Sequence, residues 1–268
     1  MKLLKRLRRR QAGPRTSPLL RPTETPQDFD CYLFICELHR SGTTLLEALI
    51  DSVCDCAVLR ADVPENEGQH LQDVFPSAMM HGGPGRFAFA PEMHPAPSDP
   101  GAAVAARQRL LSCWTPFVSG DKPLLLEKSP PNLTKIAWLR SVFPAARFVI
   151  LTRDPRAVAA ATRKWTRNPV SELIFHWHVA HDAAWRAIGP DCHHVRYEDL
   201  CADPDAEMTR LISALDLPRR TDTAQRPERF ARVTSSNEKY LSKFSPIKLG
   251  AGAWDHFGYD RTYLETAA

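Results

Sequence analysis

One stretch constrains the fold of this chain more than any other. The run CYLFIC (31–36) is wholly apolar and leads through ELHRSGTT (37–44) into a segment in which Leu45, Leu49 and Val53 recur every four residues. A short run without apolar/polar alternation suits a strand buried on both faces, which occurs chiefly in parallel sheets covered by helices. The four-residue recurrence marks one face of a helix. The chain is therefore expected to build a three-layer α/β domain, a parallel β-sheet flanked by helices, with a polar loop where the first strand becomes the first helix.

The same alternation returns further on. AAVAARQRLLSCWTPFV (102–118) reads as a helix, KPLLLE (122–127) as a strand, NLTKIAWLRSVF (132–143) as a helix and RFVILT (147–152) as a second wholly buried strand. DPRAVAAATRKW and SELIFHWHVAHDAAWRAI read as helices, followed by the strand HHVRY (193–197). In DPDAEMTRLISALDL, Asp203 is the expected N-cap, Pro204 opens the first turn, and Met208, Leu211, Ile212 and Leu215 form one face. Repeated strand–helix alternation of this kind argues a parallel sheet. Residues 56–100 are rich in Pro and read as a long loop region with at most one helix, of the kind that often carries function.

Composition narrows the class. Lys and Arg number 35 against 31 Asp and Glu, but residues 1–22 hold eight of the basic groups and no acid. The body thus carries four more acids than bases, which excludes a globally basic nucleic-acid binder. Residues 1–28 read as a disordered basic and Pro-rich tail, a candidate for membrane-surface contact, and residues 29–268 as the folded domain. No apolar run is long enough to cross a bilayer. The seven cysteines are scattered and suggest reduced thiols in a cytoplasmic protein, and Cys54-x-Cys56 lacks the second pair a zinc site needs. His176, His178 and His181 lack the i, i+4 spacing of a zinc helix and read as packing or surface histidines.

The loop between strand and helix is suited to an anion. Free backbone N–H groups and the positive end of the helix dipole converge there. Gly42 permits close approach, and Thr43 and Thr44 add hydroxyl donors. The competing reading is an ordinary polar helix start in which Ser41 acts only as a cap. A nucleotide triphosphatase would need GxxxxGK[ST]; alignment on Gly42 puts Glu37 at the first Gly and Thr43 at the Lys. A carboxylate at 37 would repel a triphosphate. The second buried strand ends in Arg153 rather than a metal-binding Asp, and Asp154 before Pro155 fits helix capping.

With these residues in hand, a resemblance is evident. Arg40-Ser41-Gly42-Thr43-Thr44 after a buried strand resembles the 5′-phosphosulfate loop of sulfotransferases that use 3′-phosphoadenosine-5′-phosphosulfate (PAPS). LLLEKSPPN (124–132) resembles the family's Lys-containing strand end, and RFVILTRDPRAVAAATRKW (147–165) its 3′-phosphate motif. VRYEDLCADPDAEMTRLISALDL (195–217) is similar to its Tyr-Glu-Asp-Leu segment, with a weaker match in FGYD (257–260). The resemblance covers residues 31–217 and implies a P-loop NTPase-like sulfotransferase fold for the domain 29–268. The implied reaction moves a sulfuryl group from PAPS to a hydroxyl or amine by metal-independent in-line transfer.

Residue by residue, the resemblance places Arg40 to Thr44 around the 5′-phosphosulfate, with Arg40 also stabilising the leaving charge, and Arg153 on the 3′-phosphate. The Ser usual eight residues beyond that Arg is Ala161 here; Thr162 would replace it if the helix is rotated. Lys128 falls at the catalytic Lys, although an exposed Lys is common at a strand end. Tyr197 matches a Tyr near the adenine, although a buried strand Tyr needs no such role. The base is expected within Pro64–Leu71, with Glu67 first, Glu65 second and His70 third, against the alternative of a plain helix-start carboxylate. Glu127 is expected to face away from Lys128. Lys239, Tyr240 and Lys243 lie where related enzymes close a loop over the nucleotide.

Two other classes remain open on sequence alone: a P-loop-type nucleotide kinase or phosphotransferase, and a non-enzymatic binder acting through the Arg-rich tip. The acceptor, whether small molecule, glycan or peptide, is not encoded in any recognisable pattern.

Overall fold

The computed structural model describes residues 20–221, 228–230, 232–242 and 248–261. Five parallel strands form one sheet in the order β2-β3-β1-β4-β5: β1 Cys31–Cys36, β2 Cys56–Val58, β3 Leu124–Lys128, β4 Ala146–Thr152 and β5 Cys192–Arg196. β1 is central, and it is buried on both faces because alternate residues enter two different cores. Tyr32, Phe34 and Cys36 join one apolar cluster, while Leu33 and Ile35 join the other.

Helices cover both faces. On one side lie α1 (Thr43–Val53) and, farther along the chain, α7 (Pro204–Leu215), through Leu45, Leu46, Leu49, Met208, Leu211 and Ile212. On the other lie α2 (Pro100–Trp114), α3 (Ile136–Val142) and α5 (Val170–Arg186), through Leu110, Trp114, Leu139 and Trp177. The three-layer expectation holds. Each fully buried Leu in these layers contributes roughly 2 kcal/mol by removal from water. As the spacing predicts, Asp203 caps α7 by accepting the Ala206 N–H, with Pro204 in its first turn. Asp154 caps α4 (Pro155–Thr162) by accepting the Arg156 N–H.

Three details differ from the sequence expectation. Residues 56–58 form a strand, paired with β3, and the loop region 64–93 holds five short 3₁₀ turns rather than an α-helix. Tyr197 is not the end of a strand; it is the first residue of α6 (Tyr197–Ala202). Residues 23–28 are tied to the end of α2 rather than standing off as linker. The Thr23 N–H donates to Ser112 C=O (3.0 Å), the Gln27 N–H to Thr115 Oγ1 (2.8 Å), and Asp28 pairs with Arg107 (2.7 Å). Residues 1–19, which hold most of the basic tail, lie outside the described residues.

None of the seven cysteines is in a disulfide. Among the described residues, no helix is long and apolar enough to cross a membrane, and no group of three or more His, Cys, Asp or Glu is placed to hold a metal. His181 stacks on Trp177 at 3.7 Å, and His176 accepts the buried Ala88 N–H, so both are packing histidines.

The register aligns Ile35 with Lys128 and Cys36 with Ile150, so the C-terminal ends of β3, β1 and β4 lie side by side. The chain leaves β1 toward β2 and β3 on one side, then crosses to β4 on the other. Loops diverge at such a switch point and leave a crevice above the strand ends.

Candidate active site

The loop after β1 has an unusual backbone. Arg40 (φ 73°) and Gly42 (φ 107°) are both left-handed and bracket Ser41, whose N–H donates to Leu38 C=O (3.1 Å). A non-Gly residue held there costs energy that the surrounding structure must sustain, and such strain gathers at functional sites. Ser41 is buried, yet its Oγ has no partner among the described residues, and the N-cap of α1 is Gly42 with no side-chain cap. The reading of Ser41 as an ordinary cap is thus overturned. The first-turn N–H groups of Thr43 and Thr44 have no intrahelical acceptor and point out of the same concavity.

Two guanidiniums flank this concavity. Arg40 lies over the Trp165 ring (4.7 Å) and donates through Nη2 to the Tyr240 hydroxyl (3.1 Å), while its Nε is buried and unpartnered. Arg153, at the end of β4, donates to Asn237 Oδ1 (2.7 Å), Ser236 Oγ (3.0 Å) and the Arg40 carbonyl (2.9 Å). Burial pulls its pKa below the usual guanidinium value, but an arginine remains cationic at neutral pH.

Tyr197 packs beneath Arg153 and beside Gly42. Its ring lies 4.3 Å under the Arg153 guanidinium, and its hydroxyl accepts the Ser236 N–H (3.1 Å). Glu198 holds the arrangement together. Its Oε1 accepts from the Asp154 N–H (3.0 Å) and Asn237 Nδ2 (2.6 Å), and its Oε2 from the Tyr259 hydroxyl (2.9 Å). The FGYD tail and the Tyr-Glu-Asp-Leu segment therefore meet around a single carboxylate.

Lys128 is buried rather than exposed, against the ordinary strand-end reading. Its Nζ donates to the Glu65 carbonyl and lies 3.3 Å from Glu47 Oε2. Glu65 and Asn66 are both left-handed (φ 52° and 55°), which turns that carbonyl inward while the Glu65 side chain stays exposed. Glu67 is buried, accepts a short hydrogen bond from Gln69 Nε2 and lies 3.6 Å from His70 Nε2. Burial pushes the Glu67 carboxyl up, but His70, His39, Gln69 and Lys128 together hold it below its ordinary value, so it is ionised at neutral pH. His70 is half-buried and lines a cleft of about 420 Å³ with Gln69, Val74, Phe75 and Met80.

Two expectations fail, one on geometry and one on burial. Thr162 does not stand in for the missing serine. It faces a small cavity with Leu38, His39, Gly85 and His176, whereas Ala161 packs against Tyr240 on the other side of α4. Glu37 does not repel an anion as a carboxylate would. Burial raises its pKa to about 8, so it is mostly neutral at physiological pH.

Sequence reasoning missed Ser236, Asn237 and Trp165. Nothing in the segment 235–244 signals that Ser236 and Asn237 meet Arg153 from 83 and 84 residues away. Tyr240, expected near the nucleotide, has its partner in Arg40; Lys243 lies outside the described residues.

The arrangement defines a class: a parallel α/β domain whose central strand ends carry a helix N-terminus and, beside it, a buried arginine. The chain belongs to the sulfotransferase family, whose family model matches residues 33–222. A curated relative, protein-tyrosine sulfotransferase A of Caenorhabditis elegans, is 30% identical over 111 residues, 37% of this chain and 29% of that protein. The chain thus spans less than a third of that relative's length. Among solved structures, the sulfotransferase domain of the curacin biosynthetic pathway superposes with a TM-score of 0.53 at 16% identity, covering 87% of this chain and 99% of that one. The sulfotransferase domain of the Synechococcus PCC 7002 olefin synthase also gives 0.53, at 18% identity, over 91% and 99%. At these identities the likeness is one of fold.

Proposed function

We propose that this chain is a PAPS-dependent sulfotransferase acting on a hydroxyl or amine acceptor. One observation carries the reading. The buried Ser41 hydroxyl has no partner among the described residues and sits between two left-handed residues at the positive end of α1, with Arg40 beside it and Arg153 on the next strand end. A buried polar group left unsatisfied is costly, so such a cradle is expected to have an anionic occupant.

PAPS supplies the activated sulfuryl group and departs as 3′-phosphoadenosine-5′-phosphate (PAP). Arg40, the Ser41 hydroxyl and the N–H groups of Gly42, Thr43 and Thr44 hold the 5′ end and stabilise charge on the leaving oxygen, commonly the largest catalytic contribution. Lys128 brings a buried ammonium to the same end. Arg153 forks onto the 3′-phosphate, and the Ser236 hydroxyl supplies the group that Ala161 lacks. Tyr197 supports Arg153 and the loop from below, with an edge available to the adenine. Glu67 accepts the acceptor's proton, with His70 joining it to the cleft. Three cationic side chains supply the positive charge, and no metal is invoked.

The cleft beside His70 is the acceptor's route. Of its polar side chains, Gln69 engages Glu67 and the Ala78 N–H, Gln72 the Val74 and Phe75 N–H groups, and Asp73 pairs with Arg109. Val74, Phe75 and Met80 give the cleft an apolar wall, which suits an aromatic ring, and a phenolic hydroxyl is the first acceptor to try. The basic tail is read as a surface tether outside the chemistry.

The test is binding and transfer. PAP at millimolar concentration should raise the melting temperature, because a ligand selective for the folded state stabilises it. Sulfur-labelled PAPS should then pass its label to a phenol such as 2-naphthol. Absence of any PAP shift in the intact chain would overturn the reading, and removal of residues 1–19 should leave transfer unchanged.

A further inference from the structure

Glu127 takes no part in the proposed transfer, yet its carboxylate accepts three hydrogen bonds beside the site. It is buried, at 2% exposure. Its Oε1 accepts the Gly68 N–H (3.0 Å) and the Ser129 hydroxyl (2.6 Å), and its Oε2 accepts Asn132 Nδ2 (2.6 Å). Ser129 Oγ in turn accepts the Gln69 N–H (3.0 Å), so its own proton is directed to Glu127. Asn132 Nδ2 also reaches the Ile35 carbonyl (3.2 Å) in β1. All three partners donate, which suits an ionised carboxylate despite the burial that raises its pKa.

We propose that Glu127 is a positioning residue for the candidate base: it fixes residues 65–69 so that Glu67 stands in a set relation to Lys128. The inference rests on the reading of Glu67 as the base.

Neighbouring strand residues point to opposite faces, so Glu127 and Lys128 leave β3 on different sides. They nevertheless grip the same short loop. Lys128 holds the Glu65 carbonyl ahead of Glu67, and Glu127 holds the Gly68 N–H after it. Trp114 Nε1 donates to the Gly68 carbonyl (3.1 Å) from α2. The loop is thus pinned before and after Glu67 by groups anchored in the sheet and in α2. Gly68 belongs to the same device: a Cβ there would lie 2.6 Å from Glu127 Oε1, so only a glycine lets the backbone come this close. Sheet pairing already holds β3 to β1 (Phe34 opposite Glu127), and the partner that sheet pairing does not fix is the loop bearing Glu67. A general base must sit within hydrogen-bond reach of the proton it takes, and displacement of about 1 Å can cost roughly a hundredfold in rate.

The test uses acceptor-free hydrolysis of PAPS, followed as PAP release, with PAP affinity measured in parallel by calorimetry. In Glu127→Gln the new amide NH₂ faces the Asn132 NH₂ and one anchor is lost. The expected result is a kcat lower by about 10- to 100-fold with PAP affinity unchanged within about twofold. Gly68→Ala presses on the same contact from the loop side without changing a charge, and should give the same split; it carries the test alone if Glu127→Gln does not fold. Glu67→Gln is the control. If Glu67→Gln hydrolyses normally, the base assignment is wrong. If Glu67→Gln is slow while Glu127→Gln and Gly68→Ala keep the parent rate, the positioning role is overturned. It is also overturned if kcat and PAP affinity fall together in both variants, since that marks a merely structural part.

Discussion

The guanidinium of Arg153 lies 4.3 Å above the ring of Tyr197, and the same ring closes the space beside Gly42, where an added Cβ would come within 2.5 Å of Tyr197 Cδ2. One aromatic ring therefore supports both the Arg153 guanidinium and the loop at Gly42, the two places proposed to hold the donor's phosphates. Arg153→Ala should remove one site while leaving the other, and we expect the PAP-induced rise in melting temperature to disappear. Arg153→Lys should recover little of it, because an ammonium cannot reproduce the fork that meets Asn237 and Ser236. Calorimetric titration with PAP decides; retention of parent affinity in the Ala variant would remove Arg153 from the donor site.

Gly42→Ala tests the other side of that ring. The residue sits at φ 107°, where an L side chain is strained, and its methyl group would meet Tyr197. We expect a stability loss on the order of 1–3 kcal/mol in urea titration together with loss of PAP binding. A variant that binds PAP normally would show that the loop tolerates the change.

The Ser236 hydroxyl is 3.0 Å from Arg153 Nη2 and is the group proposed to replace the serine absent at position 161. Hydrogen bonds to charged partners contribute about 1.5–3 kcal/mol, so Ser236→Ala should weaken PAP by roughly tenfold or more. Thr162→Val, on the opposite side of α4, should leave PAP affinity unaltered. Equal effects at the two positions would contradict the assignment.

Glu67→Gln keeps the shape and hydrogen-bonding reach of the candidate base but not its proton affinity. Turnover should fall by about 10²- to 10⁴-fold with PAP affinity preserved. Glu65→Gln, whose side chain is exposed and whose carbonyl does the work on Lys128, should be near parent activity. A reversed order would move the base to Glu65.

Glu37 should leave a mark on stability against pH. Burial raises its folded-state pKa from 4.5 to about 8. The folded state then binds a proton that the unfolded state releases, so its contribution is fully present below pH 4.5 and is lost as pH rises through about 8. Stability by urea titration should fall over that window, each tenfold difference in proton affinity between the two states being worth about 1.4 kcal/mol. Glu37→Gln should flatten this slope, and an unchanged slope would assign the loss elsewhere.

Much of this molecule is readable from residue order, and the exceptions have physical causes. The Asp203–Pro204 start of α7 follows from local chemistry, since a side-chain acceptor and a fixed φ act within one turn. β2 is not readable because three residues carry no usable period; Cys56–Val58 is a strand only because Leu124–Leu126 offer it a ladder. Thr162 is misplaced by sequence because helical periodicity tells which residues share a face, not which face Tyr240 covers. Lys128 is ambiguous for a similar reason: whether a strand-end ammonium is bathed in water or buried against Glu65 and Glu47 depends on a loop some sixty residues earlier.

Residue order alone is enough for the layered α/β fold and for the strand–loop–helix element that carries residues 40–44, because each rests on chemistry within one turn or one strand, whereas Arg153, Lys128 and Glu67 stand out only through the family resemblance. What surrounds them comes from the folded chain. Folding places Ser236, Asn237 and Tyr240 on the two guanidiniums, makes Glu37 neutral, turns Thr162 away and clamps the loop of Glu67 through Glu127. Contacts between distant segments, and the loss of water that follows from them, set charge states and hydrogen-bond partners that no local pattern can express.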